Sequence, residues 1–470
     1  MKINLKEILL NYFYYLPYPL KVLAATAKGL HLRWWRYGVE TERLIIEALE
    51  RESWCREKLK KWQQERLSFV LHRAATRVPY YKALWSQRRR QGDQSSWQYI
   101  ENWPILEKDF LRANPAAFIA EDCISKRMYN EHTSGTTGKP LDLWITRENL
   151  RGWYALVEAR WRNWYGVSRN DRWAILGGQL VTPFNQVKPP FWVWNASLHQ
   201  LYMSSYHLKP NLIQFYLEAL QYYQIKYIYG YTSSLYALAL GVLRQKLFTL
   251  PIEVLITNAE PIFDYQRQTI EKAFRCPVRE TYGMSEYTAA AGECETGQLH
   301  IWPEVGFIEI FNENRPIFDS TGDLICTSLL NTDMPLIRYR VGDRGRISSS
   351  DQTCSCGRRL PLLVSINGRS DDILYTSDGR SIGRLDPIFK VDLPILEAQI
   401  VQESLDQITV RYIPTSEFTL DTGEIIIKRL MDRMGKISVN LEAVDAIPRE
   451  ANGKFRAVIC NLSAEIKNTI

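Results

Sequence analysis

Between residues 211 and 282 the chain changes hydrophobic period again and again, and few architectures accommodate such switching. Residues 211–223 pattern as a helix, Tyr227-Ile228-Tyr229 as an extended apolar run, 232–244 as a helix, Val254-Leu255-Ile256 as extended, and 264–275 as a helix before an extended approach to Tyr282. Short apolar runs separated by amphipathic helices need cover on both faces, which predicts an α/β fold with parallel sheet wrapped by helices. Upstream, Thr41 to Arg77 reads as one amphipathic helix ending at Val78-Pro79. Beyond Asp371 the texture changes to a hairpin-like pair (398–403 and 407–413), a helix (about 422–435) and a strand (437–442). A chain of 470 residues exceeds what one core usually serves. The expected division is an N-terminal helical, basic-aromatic extension over 1–75, a large domain of parallel and mixed sheets over 76–367, a hinge at 368–371, and a small mobile α+β domain over 372–470.

His132-Thr133-Ser134-Gly135-Thr136-Thr137-Gly138-Lys139-Pro140 gathers hydroxyls, two glycines and a lysine into one loop flanked by strand-like sequence. The glycines let consecutive N–H groups converge on an anion, and the hydroxyls and lysine add donors and charge. Such runs are commonly plain surface turns. Here they are followed, in order, by Asn258-Ala259-Glu260-Pro261, Tyr282-Gly283-Met284-Ser285-Glu286, Tyr339-Arg340-Val341-Gly342-Asp343, Gly368-Arg369-Ser370-Asp371-Asp372 and Asn452-Gly453-Lys454.

Words, order and spacing together resemble the adenylate-forming (acyl-CoA synthetase-like) superfamily over residues 70 to 460, and within it the phenylacetate-CoA ligase and CapK-type capsular polysaccharide family. The resemblance implies an ATP- and Mg²⁺-dependent ligase that turns a carboxylic acid into an acyl-adenylate and passes the acyl group to a thiol, coenzyme A first. Ser134, Gly135, Thr136, Thr137, Gly138 and Lys139 would wrap the β- and γ-phosphates. Glu286 would ligate Mg²⁺, Tyr282 with Gly283, Met284 and Ser285 would line the adenine beside Ala259, Glu260 and Pro261, and Asp343 would accept from the ribose hydroxyls. Lys454 would bridge the carboxylate and α-phosphate, Arg369 would sit at the domain junction, and Asp371 would be the hinge. Tyr229, Gly230 and Tyr231, with Trp192 and Trp194 as neighbours, fall where relatives line the acyl site. Alternative acceptors are a carrier-protein phosphopantetheine, a protein cysteine or a sugar amine. A non-catalytic scaffold of the same fold is the alternative from outside enzymology.

Cys294, His300, Cys354 and Cys356 offer three sulfurs and an imidazole, a set suited to structural zinc. The eight cysteines lie at irregular positions, unlike a disulfide framework, and point to a reducing cytoplasm. Residues 1–90 carry 19 Lys/Arg against 8 Asp/Glu, a balance of +11 that leaves −4 for the remaining 380 residues. With Tyr12, Phe13, Tyr14, Tyr15, Tyr18, Trp34, Trp35 and Tyr37 interleaved, residues 1–38 suit either a peripheral contact with the inner face of a membrane or a helical arm packed on the body. No spanning helix, signal peptide or nucleic-acid signature is expected, and nothing in the sequence specifies the oligomeric state.

Overall fold

The structure, a computed structural model, describes residues 12–132, 141–178, 181–183, 186–209, 211–245, 250–313, 315–348, 353–369, 374–377, 381–382, 393–450, 455–463 and 466. The helical layer begins with α1 (Tyr18–Arg36), α2 (Thr41–Arg51), α3 (Arg56–Arg77), α4 (Pro79–Arg90) and α5 (Lys108–Ala113). The expected single helix over Thr41–Arg77 is corrected to two. The Ser53 hydroxyl donates to the Glu50 carbonyl at 2.8 Å, and the Glu52 carboxylate turns inward, so the ladder stops there and restarts at Arg56. Proline at the first position of α4 suits a helix start, where no N–H is missed.

A hairpin of β1 (Tyr129–His132) and β2 (Asp142–Ile145) flanks the glycine-rich loop, and α6 (Arg147–Trp161) follows. Next come β3 (Trp173–Gly177), β4 (Trp192–Asn195), β5 (Gln200–Ser204), α7 (Ile213–Tyr222), β6 (Tyr227–Tyr231), α8 (Thr232–Gln245), β7 (Val254–Asn258), α9 (Asp264–Phe274), β8 (Val278–Gly283), β9 (Ala290–Glu293) and β10 (Leu299–Ile301). These strands form one eight-stranded sheet in the order β10-β9-β8-β7-β6-β3-β5-β4. Its centre, β8 to β5, is parallel, with antiparallel strands at both edges. The alternation over 211–282 is therefore what it predicts: each apolar run is a sheet strand and each amphipathic segment a crossover.

A second sheet, antiparallel in the order β12-β11-β13-β14-β15, is built from β11 (Gly306–Asn312), β12 (Arg315–Pro316), β13 (Gly322–Ser328), β14 (Tyr339–Ile347) and β15 (Leu363–Arg369). After a short pair, β16 (Leu374–Tyr375) and β17 (Ser381–Ile382), the C-terminal part folds on its own core. There β18 (Ile395–Ser404), β19 (Gln407–Pro414), β20 (Ser438–Ala443) and β21 (Val458–Cys460) form a four-stranded sheet beneath α10 (Leu420–Met434), with Ile400, Ile408, Val410, Ile426 and Leu430 buried between them. The fold is a large α/β body with a small α+β domain at the C-terminal end.

Arg160, on α6, is completely buried. Its guanidinium grips Glu304 with two bonds of 2.7 and 2.8 Å and donates to Glu52 at 3.2 Å, tying the helical layer to the turn before β11. Burial alone would raise the Glu304 carboxyl, but Arg160 outweighs it and holds the group below its ordinary range. Removing one partner of a buried pair strands the other. Arg160→Ala is expected to destabilise the body by about 3–5 kcal/mol, read as a lower denaturant midpoint.

Candidate functional site

Strand alternation decides which side chains meet. On β3, β6 and β7, residues Trp173, Ile175, Tyr227, Tyr229, Ile256 and Asn258 point to one face, and that face bounds a cavity of about 1540 Å³. The opposite wall is α6, through Trp153, Tyr154, Val157 and Trp161, and α1, through Ala25, Lys28, Leu32 and Arg36. At the carboxyl ends of the parallel strands, where open α/β sheets receive ligands, the cavity continues past Asn258–Phe263 and Glu280–Tyr287. It reaches Val341 and Asp343 of β14, and Phe455 of the C-terminal domain.

Tyr282, Glu286 and Asp343 are brought together here. The Tyr282 hydroxyl donates to Asp343 Oδ2 at 2.7 Å, although the two lie 61 residues apart. Burial, reinforced by the Asp343 charge, raises the Tyr282 phenol well above its ordinary range, so it remains a donor. Glu286 is buried, and its Oε1 accepts from Lys108 Nζ and the Tyr339 hydroxyl, both at 3.1 Å. Gly283, Met284 and Ser285 line the same wall, and Thr288 Oγ1 lies 3.0 Å from Met284 Sδ. Tyr287, also in the lining, donates to Glu131 at 2.5 Å and has φ +53°.

Ala259 adopts φ +62°, a left-handed conformation costing a non-glycine residue about 1 kcal/mol. It sits where the chain leaves β7 and swings Glu260 onto the start of α8. There the Glu260 carboxylate accepts from the Ser233 amide at 2.8 Å and hydroxyl at 3.1 Å, as an anion suits a helix N-terminus. Its Oε1 also accepts the Phe455 amide at 2.6 Å, a direct link between the body and the small domain. Pro261 lines the cavity, and Asn258 Oδ1 is buried without a hydrogen-bond partner among the described residues.

Other expected residues fare differently. Of the suggested acyl trio, Tyr229 faces the cavity. Gly230 instead backs onto β3, where an added Cβ would lie 3.0 Å from Leu176 Cβ, and Tyr231 is not in the lining. Trp192 and Trp194 are also corrected. Alternation on β4 turns them outward, Trp194 stacking on Tyr223 with ring centroids 4.9 Å apart, while Val193 and Asn195 face the cavity. Arg369 is paired with Asp343 in the β14–β15 register, its side chain outside the description. Ser134, Gly135, Thr136, Thr137, Gly138, Lys139, Asp371 and Lys454 lie outside the described residues. The sequence reading missed Lys108, which sits in an ordinary polar stretch, Glu107-Lys108-Asp109, with no local signal. It also missed the tryptophans of α6, whose helical spacing could have revealed them.

About 60 residues apart in sequence, Cys294, His300, Cys354 and Cys356 converge with all ligating atoms within 4.8 Å of one another. Cys294 and Cys354 sulfurs are 3.9 Å apart, and Cys356 Sγ is 3.3 Å from His300 Nε2. Ligands of a tetrahedral zinc ion lie about 3.5–3.8 Å from each other, so the spacing fits. His300 Nδ1 lies 3.2 Å from the Leu360 carbonyl, which fixes the tautomer with Nε2 bare toward the sulfurs. Burial also lowers the imidazole to about 4, keeping it neutral, the form that binds metal. The loop is clamped to the helical layer by Glu52, which accepts from Arg358 and from Trp164 Nε1 at 3.0 Å.

Comparison with known proteins adds relatives to this geometry. The CapK C-terminal domain family matches residues 374–461. The chain is 26% identical over 465 residues to the Staphylococcus aureus protein named Protein CapK, covering 97% of this chain and 100% of that one. It is 26% identical over 447 residues to the phenylacetate-coenzyme A ligase of Thermus thermophilus, covering 90% and 92%. Among solved structures, 2-hydroxyisobutyryl-CoA ligase in the postadenylation state with 2-HIB-AMP aligns with a TM-score of 0.67 at 20% identity, covering 89% of this chain and 92% of that chain. This last likeness is one of fold.

The Glu260–Phe455 contact generates a direct expectation. Hydrogen bonds to a buried charge contribute about 1.5–3 kcal/mol, so Glu260→Ala should speed hydrogen exchange at the Phe455 amide by about ten- to a hundredfold. Peptide-level exchange, with the β18–β19 hairpin as internal reference, measures it.

Proposed function

We propose that this chain, which belongs to the adenylate-forming superfamily in the family of CapK and phenylacetate-CoA ligase, is an ATP-dependent ligase that activates a carboxylic acid as its acyl-adenylate and hands the acyl group to a thiol. One observation carries this reading. Tyr282 and Asp343, from separate sheets, share a hydrogen bond on the wall of a cavity that also holds buried Glu286 at the strand ends. Adenylation needs that combination: a ring wall for adenine, an acceptor for ribose hydroxyls and a carboxylate for a hard cation.

In the proposed reaction the acid's carboxylate attacks the α-phosphorus and pyrophosphate leaves. Ser134 to Lys139 hold the β- and γ-phosphates, and Asp343 fixes the ribose. Glu286 would hold magnesium, which would supply charge neutralisation at the phosphates. Lys454 stabilises charge between carboxylate and α-phosphate. Tyr229, Trp161 and Ile256 shape the acyl site, and the unpaired Asn258 acceptor suits an acid bearing a donor group. Asp371 is the proposed hinge about which the small domain turns between half-reactions. None of the eight cysteines is in a disulfide, in keeping with a cytoplasmic setting.

Coenzyme A is the first acceptor to test. A second reading is the alternative the resemblance to CapK-type capsular polysaccharide proteins implies, transfer to a carrier protein or a sugar amine. A scaffold would show no acid-dependent chemistry.

Acid-dependent exchange of pyrophosphate into ATP, over aryl, fatty and hydroxy acids, is the test. Exchange with one class, lowered about 10²–10³-fold by Lys454→Ala or Glu286→Gln, is the expected result. No exchange with any acid overturns adenylation. We also propose that Cys294, His300, Cys354 and Cys356 hold structural zinc. Metal analysis should find stoichiometric zinc, with Cys354→Ser or His300→Ala losing it and lowering the melting temperature.

A further inference from the structure

The solvent face of α1 is inverted. At about 100° per residue, Tyr18, Val22, Ala25, Thr26 and Gly29 share one side of the helix, and that side is packed. The Tyr18 hydroxyl meets Tyr223 at 2.8 Å, and Thr26 accepts from the Ala196 amide and the Ser197 hydroxyl. Gly29 lies so close to β4 that a Cβ would stand 2.1 Å from Asn195 Oδ1. The outward side should then carry charge. Instead it reads Leu20, Leu23, Ala27, Leu30, His31 and Trp34, without one Lys, Arg, Asp or Glu. Leu23, Leu30 and Trp34 are 66%, 61% and 53% exposed. The apolar stripe runs about 20 Å along the helix. Exposed Tyr12 and Tyr15 stand just before it, and fully exposed Val39 follows it.

We infer that this face is a lipid-docking surface: α1 lies flat in the headgroup region of an anionic bilayer, its leucines in the acyl boundary and Trp34 at the interface. Charge selects this occupant. Residues 1–38 contain six Lys or Arg (Lys2, Lys6, Lys21, Lys28, Arg33 and Arg36) against the single acid Glu7; of these, Lys21 is buried and Arg36 turns into the cavity. Exposed Lys28 and Arg33 flank the stripe. A second copy docked through the same face would set these like charges against each other, because a two-fold interface is self-complementary. An anionic surface is attracted by them instead. No helix among the described residues is long and apolar enough to cross a membrane, so the contact is peripheral.

The test uses the full chain with vesicles of phosphatidylcholine alone or mixed with phosphatidylglycerol. The intact protein should sediment with the anionic vesicles, less so as salt rises. Leu23→Glu/Leu30→Glu should weaken partitioning by about tenfold or more. Leu23→Ala/Leu30→Ala, which adds no charge, should lose a smaller share. Both pairs point outward, so unchanged melting curves certify the fold. Intact protein that stays in solution, or a glutamate variant that sediments as well as the parent, overturns the proposal. A dimer seen by light scattering that the glutamate variant abolishes, with no vesicle binding, also overturns it and assigns the face to a second copy.

Discussion

A guanidinium with no water around it dictates its own surroundings. Arg160 is buried where α2, α6 and the turn before β11 meet, and its charge can persist there only because Glu304 and Glu52 are drawn in beside it. Glu52 in turn receives Arg358, next to the sulfur pair of the Cys354–Cys356 loop. One charge thus fixes three otherwise separate pieces: the end of α2, the strand system carrying Glu304, and the Cys/His cluster. It also explains why the long amphipathic stretch from Thr41 to Arg77 cannot continue as one helix. Glu52 is needed inside.

The side of the cavity proposed to take the nucleotide depends on a different interaction. Tyr282 comes from the parallel sheet and Asp343 from the antiparallel one, and their hydrogen bond marks the seam between the two. Lys108 neutralises Glu286 there, so a buried carboxylate is not left alone with Asp343 nearby. The aromatic side of the same cavity is held by packing. Trp153, Trp161 and Trp302 meet at centroid distances of 4.8–5.6 Å and leave Tyr229 facing inward.

Much of the body was legible in the sequence because its code is local. The helices at 213–222 and 264–274 and the strands at 227–231 and 254–258 follow from period alone, and the small domain's hairpin from two β-rich runs. The Cys/His cluster was legible by chemistry, since soft ligands are few and their pairing across 60 residues is suggestive. What escaped was non-local. The antiparallel sheet pairs β11 with β13 and β13 with β14 through connections without a strong signal. Trp192 and Trp194 were misassigned because a strand's alternation gives two faces but not which one is the cavity. Lys108 carries no sequence mark, since its meaning comes from Glu286, 178 residues away.

Glu260 reaches the small domain through a main-chain amide and not through a side chain. A carboxylate that grips backbone accepts from any residue but proline at position 455. This one contact between the domains is therefore indifferent to the side chain on the small-domain side. That domain is free to diverge, and to acquire a new partner surface, without losing its point of attachment to the wall of the cavity.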